Sequence, residues 1–337
     1  MKECKGCTIN DNVFSVRIGE DGLCNYCHQR QARGTTLPFN QEEAEKQLSE
    51  AFAAYKDRPY QVLLAYSGGK DSTYTLYKLR RHYNLSVLAV TLDNGFLSEQ
   101  SRRNIHKVTA ELDVDSITVK PSFSKLVKIF HLASSREIFP KKALERASSI
   151  CTACIGLVKT AVYREAVLRK IPFICFGWTP GQAPVKSPII KLDYRMILAN
   201  QKQLSEPIVK NLGEEYRGYF IEPDWLEEHA DDVPSLAYPL VFESYNEDMI
   251  YNTIHSLGWE KPQDTDVNST NCLLNSYANY IHMKDYGFNP YCLEIAGLVR
   301  EGYLSREEGL KKLSKSGEPS VIDAVRCELN KYADFDA

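Results

Sequence analysis

The chain has 337 residues, 43% of them hydrophobic and 25% charged, with a net charge of -3. That composition sustains one large core or two moderate ones and excludes disorder as the default. No apolar run approaches the roughly 20 residues that span a bilayer, and the opening MKECKGC lacks the apolar middle of a secretory signal, so a cytoplasmic protein without a membrane partner is expected. The charge is uneven: residues 59–200 carry 21 basic and 10 acidic side chains, residues 201–337 carry 12 and 25. Such a positive field suits the phosphates of a nucleotide, a nucleotide-linked substrate or RNA; a chance asymmetry of solvated faces is the alternative.

Ten cysteines in a reducing compartment are ligands or catalysts before they are disulfides. Cys4, Cys7, Cys24 and Cys27 form two C-x-x-C pairs separated by sixteen residues, the spacing of a four-thiolate zinc ribbon, and four thiolates leave Zn2+ no open position for chemistry. Val13, Phe14, Val16 and Ile18 near alternation, with Gly22 beyond, predict a small hairpin between the pairs. His28 is read as a bystander. The ribbon is assigned to residues 1–35 and a connecting helix, QEEAEKQLSEAFAAYKD, to residues 36–58.

From residue 59 strands and helices alternate. YQVLLAYS, LSVLAVTLDNG, SITVK and IPFICFG read as strands; DSTYTLYKLRRHY, EQSRRNIHKVTAELD, FSKLVKIFHLA and CTACIGLVKTAVYREAVLRK read as helices. This predicts an α/β fold with a doubly wound parallel sheet over 59–200, whose ligands bind at the carboxyl ends of the strands. Residues 201–337 are expected to form a helical substrate or oligomerisation region. Its last two amphipathic helices, with Ser305 as N-cap, offer a homodimer surface.

The stretch AYSGGKDS joins the first strand to its helix. Gly68 and Gly69 permit positive φ and close approach, so successive amides can cradle an anion at the helix N-terminus, with Ser67, Lys70 and Ser72 adding donors. It is too short for the Gly-x-x-x-x-Gly-Lys-Ser/Thr mononucleotide loop, and Asp71 follows the lysine. Asp71 reads as a proton acceptor, a Mg2+ ligand or merely a carboxylate favoured by the helix dipole. Asp93 at the end of the second strand reads as a contact to ribose or adenine, or as a turn residue. Gly177 at the end of IPFICFG joins the nucleotide-facing set. Trp178, Gln182 and Lys186, in the proline loop that follows, are candidates for nucleotide or substrate contact. Cys151 and Cys154 form a third C-x-x-C at a helix start, where the dipole lowers a thiolate pKa. A redox pair or a second zinc half-site are the other readings. Cys175 and Cys327 read as packing residues. Asp264, Asp266, Asn268, Asn271 and Asn275, dense around Cys272, read as an acceptor pocket or as caps and turns; His282 reads as catalysis or packing.

SGGKDS in its strand–turn–helix setting resembles the PP-loop of the ATP pyrophosphatase, or adenine nucleotide α-hydrolase-like (HUP-like), superfamily. The resemblance implies ATP and Mg2+, transfer of AMP to an acceptor oxygen and release of pyrophosphate. C-x-x-C after the loop with one later cysteine is similar to PP-loop thiolases of the iron–sulfur type. That likeness implies a 4Fe-4S cluster on Cys151, Cys154 and Cys272, with Cys292 as the other candidate third ligand, an iron open to a sulfide donor, and sulfur replacing the adenylated oxygen. The order CKGC, LCNYC, SGGKDS, CTAC and LVREGYLSREEGLKKL also resembles N-acetyl sugar amidotransferases. These would form an acetamidino group with ammonia from a glutaminase subunit, and the chain departs from their pattern around GWEKPQDTDVNSTNCLLN. Sulfur insertion is placed first and amidine formation second. A small-molecule or nucleotide-linked acceptor is preferred to tRNA, because the acidic C-terminal third would repel a nucleic-acid backbone.

Overall fold

The computed structural model describes residues 1–34, 40–182, 186–314 and 317–332. Helices α1 (Asn25–Arg33) and α2 (Gln41–Ala53) precede the sheet. Then come β1 (Val62–Ala65), α3 (Lys70–Tyr77), β2 (Val87–Leu92), α4 (Glu99–Glu111) and β3 (Asp115–Val119). Next in the chain are α5 (Phe123–Ser135), α6 (Lys141–Leu144), α7 (Ser149–Leu168), β4 (Phe173–Phe176), β5 (Ile189–Ile190), α8 (Tyr194–Leu212) and α9 (Pro223–Glu228). Strand β6 (Ser235–Ala237), α10 (Glu247–His255), α11 (Leu274–Tyr286), α12 (Cys292–Arg300), α13 (Arg306–Ser314) and α14 (Pro319–Asn330) complete it. The segment after residue 200 is thus mainly helical and returns one strand to the sheet.

The sheet order is β3-β2-β1-β4-β6-β5, parallel except for β5, which runs against β6. The central strands are buried on both faces and therefore read as continuous apolar runs. Val62, Leu64, Val87 and Ala89 pack with Leu76 of α3 and Val108 of α4, whereas Leu63, Leu88, Val90 and Ile174 pack with Val162 and Ala166 of α7. Period-2 alternation thus feeds two helical layers from one set of strands, each fully buried aliphatic side chain contributing about 1.5–3 kcal/mol. The chain moves outward from β1 to β3 and then returns to the other side of β1 as β4. This reversal opens a crevice beyond the carboxyl ends of β1 and β4.

The N-terminal segment does not form the expected hairpin. It holds isolated bridges, Glu3 with Asn10 and Ile18 with Cys24, because its amides close tight turns instead, Cys4 N to Ile9 O and Val16 N to Val13 O. Phe14 anchors it edge-on against Tyr286 and Phe288, at 5.4 and 5.5 Å between ring centroids.

Candidate functional site

The loop Ser67–Ser72 lies at the crevice. Gly68 has φ +72°, and a Cβ there would come within 2.7 Å of Ile105 Cγ1, so the turn and the close approach both require glycine. Gly69 is the N-cap of α3, whose first-turn N–H groups have no intrahelical acceptor. Gly69, Lys70, Asp71 and Ser72 line a cavity of about 320 Å3 together with Gly177 and Thr270. Gly177 is forced by geometry: a Cβ would meet Ser72 Cα and N at 2.7 Å, so the end of β4 runs directly against the start of α3.

Lys70 is turned toward the C-terminal region. Its Nζ lies 2.7 Å from the Tyr245 hydroxyl, 2.9 Å from Asp71 Oδ1 and 3.3 Å from Glu247 Oε1. Burial by itself would discharge it, yet Asp71, Tyr245 and Glu247 outweigh that cost and hold its pKa above the ordinary lysine value. Glu247 also meets Lys312 Nζ at 2.8 Å. The loop backbone is strapped from the same region: Lys70 N donates to Thr270 Oγ1 (2.8 Å) and Trp259 Nε1 to Gly68 O (2.9 Å).

A second cavity, about 690 Å3, adjoins the first, with Ser67, Ile155, Trp178, Gln182, Tyr291 and Glu294 lining both. Cys151, Cys154 and Cys272 all line it. Asn94 Nδ2 lies 3.5 Å from both Cys154 Sγ and Cys272 Sγ, and Asn275 Nδ2 lies 3.5 Å from Cys151 Sγ. Cys292 is elsewhere, buried in the cluster around the N-terminal cysteines; Cys175 is in the sheet core and Cys327 is exposed on α14. Helix α7 begins at Ser149, capped by the Ser148 side chain, so Cys151 is its third residue. The expected lowering of its pKa is overturned: burial pushes the Cys151 thiol up to about 11, and burial raises Cys154 and Cys272 as well. Removal from water outweighs the helix dipole here.

Asp93 does not line either cavity. Its side chain is 3% exposed and paired with Arg102 Nη1 at 2.7 Å. Burial would raise its pKa, but the Arg102 N–H bonds and the Gly95 N–H bring it below the usual value. The neighbouring Asn94 takes the place at the cavity. Of the polar residues around Cys272, Asn271 and Asn275 line the larger cavity. Asp266 is 2% exposed, and burial raises its carboxyl pKa. His282 is 1% exposed, lies outside both cavities, and burial lowers its pKa to about 4. Trp178 stacks between Phe176 and Tyr238. Gln182 Nε2 donates to Glu294 Oε1 at 3.0 Å, and Lys186 is exposed. The middle of the proline loop, 183–185, lies outside the described residues.

Glu294, Tyr245, Glu247, Thr270 and Lys312 were not singled out from the sequence. They reach the loop from at least 170 positions away; Lys312 lies in LVREGYLSREEGLKKL and Thr270 in GWEKPQDTDVNSTNCLLN, but neither stretch points to the loop.

The ligand atoms of Cys4, Cys7, Cys24 and Cys27 all lie within 4.8 Å of one another. Their chemistry is that of thiols sharing charge: hydrogen bonding from Cys7 lowers Cys24 to about 4, while burial raises Cys27 to about 12. Arg300 Nη1 lies 3.6 Å from Cys7 Sγ, and Arg306 Nε donates to Cys7 O at 3.1 Å. His28 stands apart, 3.3 Å from Asp21. This compact, buried donor set fits a tetrahedral thiophilic cation.

No family model matches the chain. It is 26% identical over 287 residues to the uncharacterized protein MJ1599 of Methanocaldococcus jannaschii, across 85% of this chain and 84% of that one. Among solved structures it is similar to the U34-tRNA thiolase NcsA of Methanococcus maripaludis with its 4Fe-4S cluster, at TM-score 0.37 and 13% identity over 98% of this chain and 89% of that one. It is similar at the same TM-score and identity to the NH3-dependent NAD synthetase of Campylobacter jejuni, over 88% and 95% of the chains. The NMN synthetase of Francisella tularensis again gives TM-score 0.37 and 13% identity, over 83% and 99%. Among the described residues, no helix is long and apolar enough to cross a membrane.

Proposed function

We propose that the chain is an ATP-dependent transferase that adenylates a carbonyl or amide oxygen of a small-molecule or nucleotide-linked acceptor and then replaces that oxygen with sulfur. The observation that carries this reading is the shared wall: a glycine loop suited to phosphates and a trio of cysteines open onto adjoining cavities. In the first step the acceptor oxygen forms a bond to the α-phosphorus of ATP, the bond to the bridging oxygen breaks, and pyrophosphate leaves. The Asp71 and Ser72 amides of α3, with the side chains of Ser67, Ser72 and Lys70, would hold the leaving phosphates; these compete with Glu247 for Lys70 and Lys312, and Asp71 would hold the accompanying Mg2+. In the second step sulfur bonds to the activated carbon, and AMP departs carrying the original oxygen.

Cys151, Cys154 and Cys272 would hold a 4Fe-4S cluster. Three soft donors, each faced by a carboxamide N–H, fit that group and leave one iron without a protein ligand. When bound, the cluster supplies a site for exogenous sulfide. Trp178 and Val158 wall the cavity against water, and Gln182 fixes Glu294 beside the reacting groups. The four N-terminal cysteines would hold a structural Zn2+.

Anaerobically purified protein should carry about four irons and one zinc per chain, with iron alone lost in Cys151→Ala, Cys154→Ala or Cys272→Ala. Binding of ATP with Mg2+, followed by calorimetry, should be lost in Lys70→Ala and weakened in Asp71→Ala. Iron-free protein that turns over with ammonia or a glutaminase subunit would move the reading to amidine formation. A tRNA acceptor would show itself as thiolated tRNA in the same assay.

A further inference from the structure

We infer that Asn94 and Asn275 are positioning residues of the cysteine cavity, holding negative charge on the three sulfurs and thereby setting the reduction potential of the cluster bound there. The inference rests on the cluster reading above and deepens it.

Both carboxamides are buried, Asn94 at 5% and Asn275 at 7% exposure, and both are oriented from behind. Asn94 Oδ1 accepts the backbone N–H of Phe96 at 2.9 Å, which leaves Nδ2 to face Cys154 and Cys272. Asn275 Oδ1 accepts from Asn279 Nδ2 at 2.9 Å, and its own Nδ2 reaches Cys151 Sγ and the Tyr291 hydroxyl, the latter at 3.1 Å. Two side chains from different elements, each with its oxygen already engaged, therefore supply an N–H edge to every one of the three sulfurs. A packing role would not require that orientation. An N–H donor stabilises sulfur charge more in the reduced, electron-richer cluster than in the oxidised one, so it raises the reduction potential.

Asparagine to serine keeps an oxygen that can accept the local N–H, adds no charge and withdraws the N–H donor from the sulfurs, which separates the turn-forming role from the electrostatic one. The test is a redox titration of the reconstituted, full-length holoprotein, followed by electron paramagnetic resonance, for wild type, Asn94→Ser and Asn275→Ser. At a fixed ambient potential the reduced-to-oxidised ratio should fall at least tenfold in each variant, about 59 mV for a one-electron couple, with iron content and melting temperature held. Wild-type titration behaviour in both iron-loaded variants overturns the inference and leaves the cluster reading standing. Wild-type protein that takes up no iron overturns the cluster reading, and the inference falls with it.

Discussion

A methyl group at residue 177 would collide with the backbone of the glycine loop. Gly177→Ala places a Cβ 2.7 Å from Ser72 Cα, and the contact is with backbone on both sides, so relief requires β4 and α3 to separate. Overpacking of this kind costs about 1–3 kcal/mol and widens the turn. Melting temperature should fall and binding of ATP with Mg2+ should weaken at least tenfold; wild-type affinity in the variant would show that the loop does not hold phosphate. Glu294 makes a different residue-scale prediction. Burial raises its carboxyl from 4.5 to about 7, so between those values the folded chain keeps a proton that the unfolded chain has released. Stability therefore falls as pH rises through this window, and the loss is complete above about 7. At 1.36 kcal/mol per unit the ceiling is about 3 kcal/mol, reduced by solvent in the cavity. Glu294→Gln should gain about 1–3 kcal/mol over wild type in urea melts at pH 8 relative to pH 4.5. An equal difference at both pH values would mean that the carboxyl is not held protonated.

At the scale of elements, α7 carries two of the three cavity cysteines and depends on its cap. Ser148 Oγ accepts from Cys151 N at 3.2 Å, so Ser148→Ala should cost about 1 kcal/mol by denaturant unfolding. Ser149 is the matched control: its buried Oγ has no hydrogen-bond partner among the described residues, and Ser149→Ala should be near neutral. Equal losses in the two variants would sink the capping account. The sequence reading opened this helix at Cys151 because the apolar run starts there, and it credited the dipole with lowering the thiol pKa. The Ser148 cap emerges only in the structure, and the burial that reverses the shift depends on where α11 and the 269–272 segment settle. Strands, the glycine loop and the paired cysteines were legible because each rests on local pattern. Of the two readings of Asp93 the turn is the one seen: its Oδ1 accepts the Gly95 N–H, and Arg102, nine residues on, captures its carboxylate. Glu247, Lys312 and Glu294 could not be found, since what brings them to Lys70 and Gln182 is the docking of the C-terminal helices.

Across the whole molecule, that docking ties the N-terminal cysteine centre to the cavities. One face of α12 buries Cys292, Leu293 and Ala296 among the four cysteines, Ile9 and Val13, while Tyr291, Glu294 and Ile295 on or beside it line the cavities. Gly309 of α13 packs against Thr8, where a Cβ would meet Thr8 Cγ2 at 2.8 Å. Lys312, one turn further on, holds the Glu247 that reaches Lys70. Arg30 and Arg33 clamp Glu301 at 2.9 Å each, and Arg306 caps the Cys4 and Cys7 carbonyls. An ion on the four sulfurs, as proposed above, would fix this N-terminal segment, since metal binding at such a site is folding free energy. Removing it would free thiolates to repel one another and release the back of α12. Stripping zinc with a thiol-directed reagent and a chelator, or the Cys7→Ser substitution, should lower the melting temperature. Hydrogen exchange should accelerate across residues 292–300 and 306–314 as well as in residues 1–33, and binding of ATP with Mg2+ should weaken through Lys312 and Glu294, although neither touches the metal. Faster exchange confined to residues 1–33, with ATP affinity unchanged, would mean that the N-terminal segment folds beside the two cavities without supporting them.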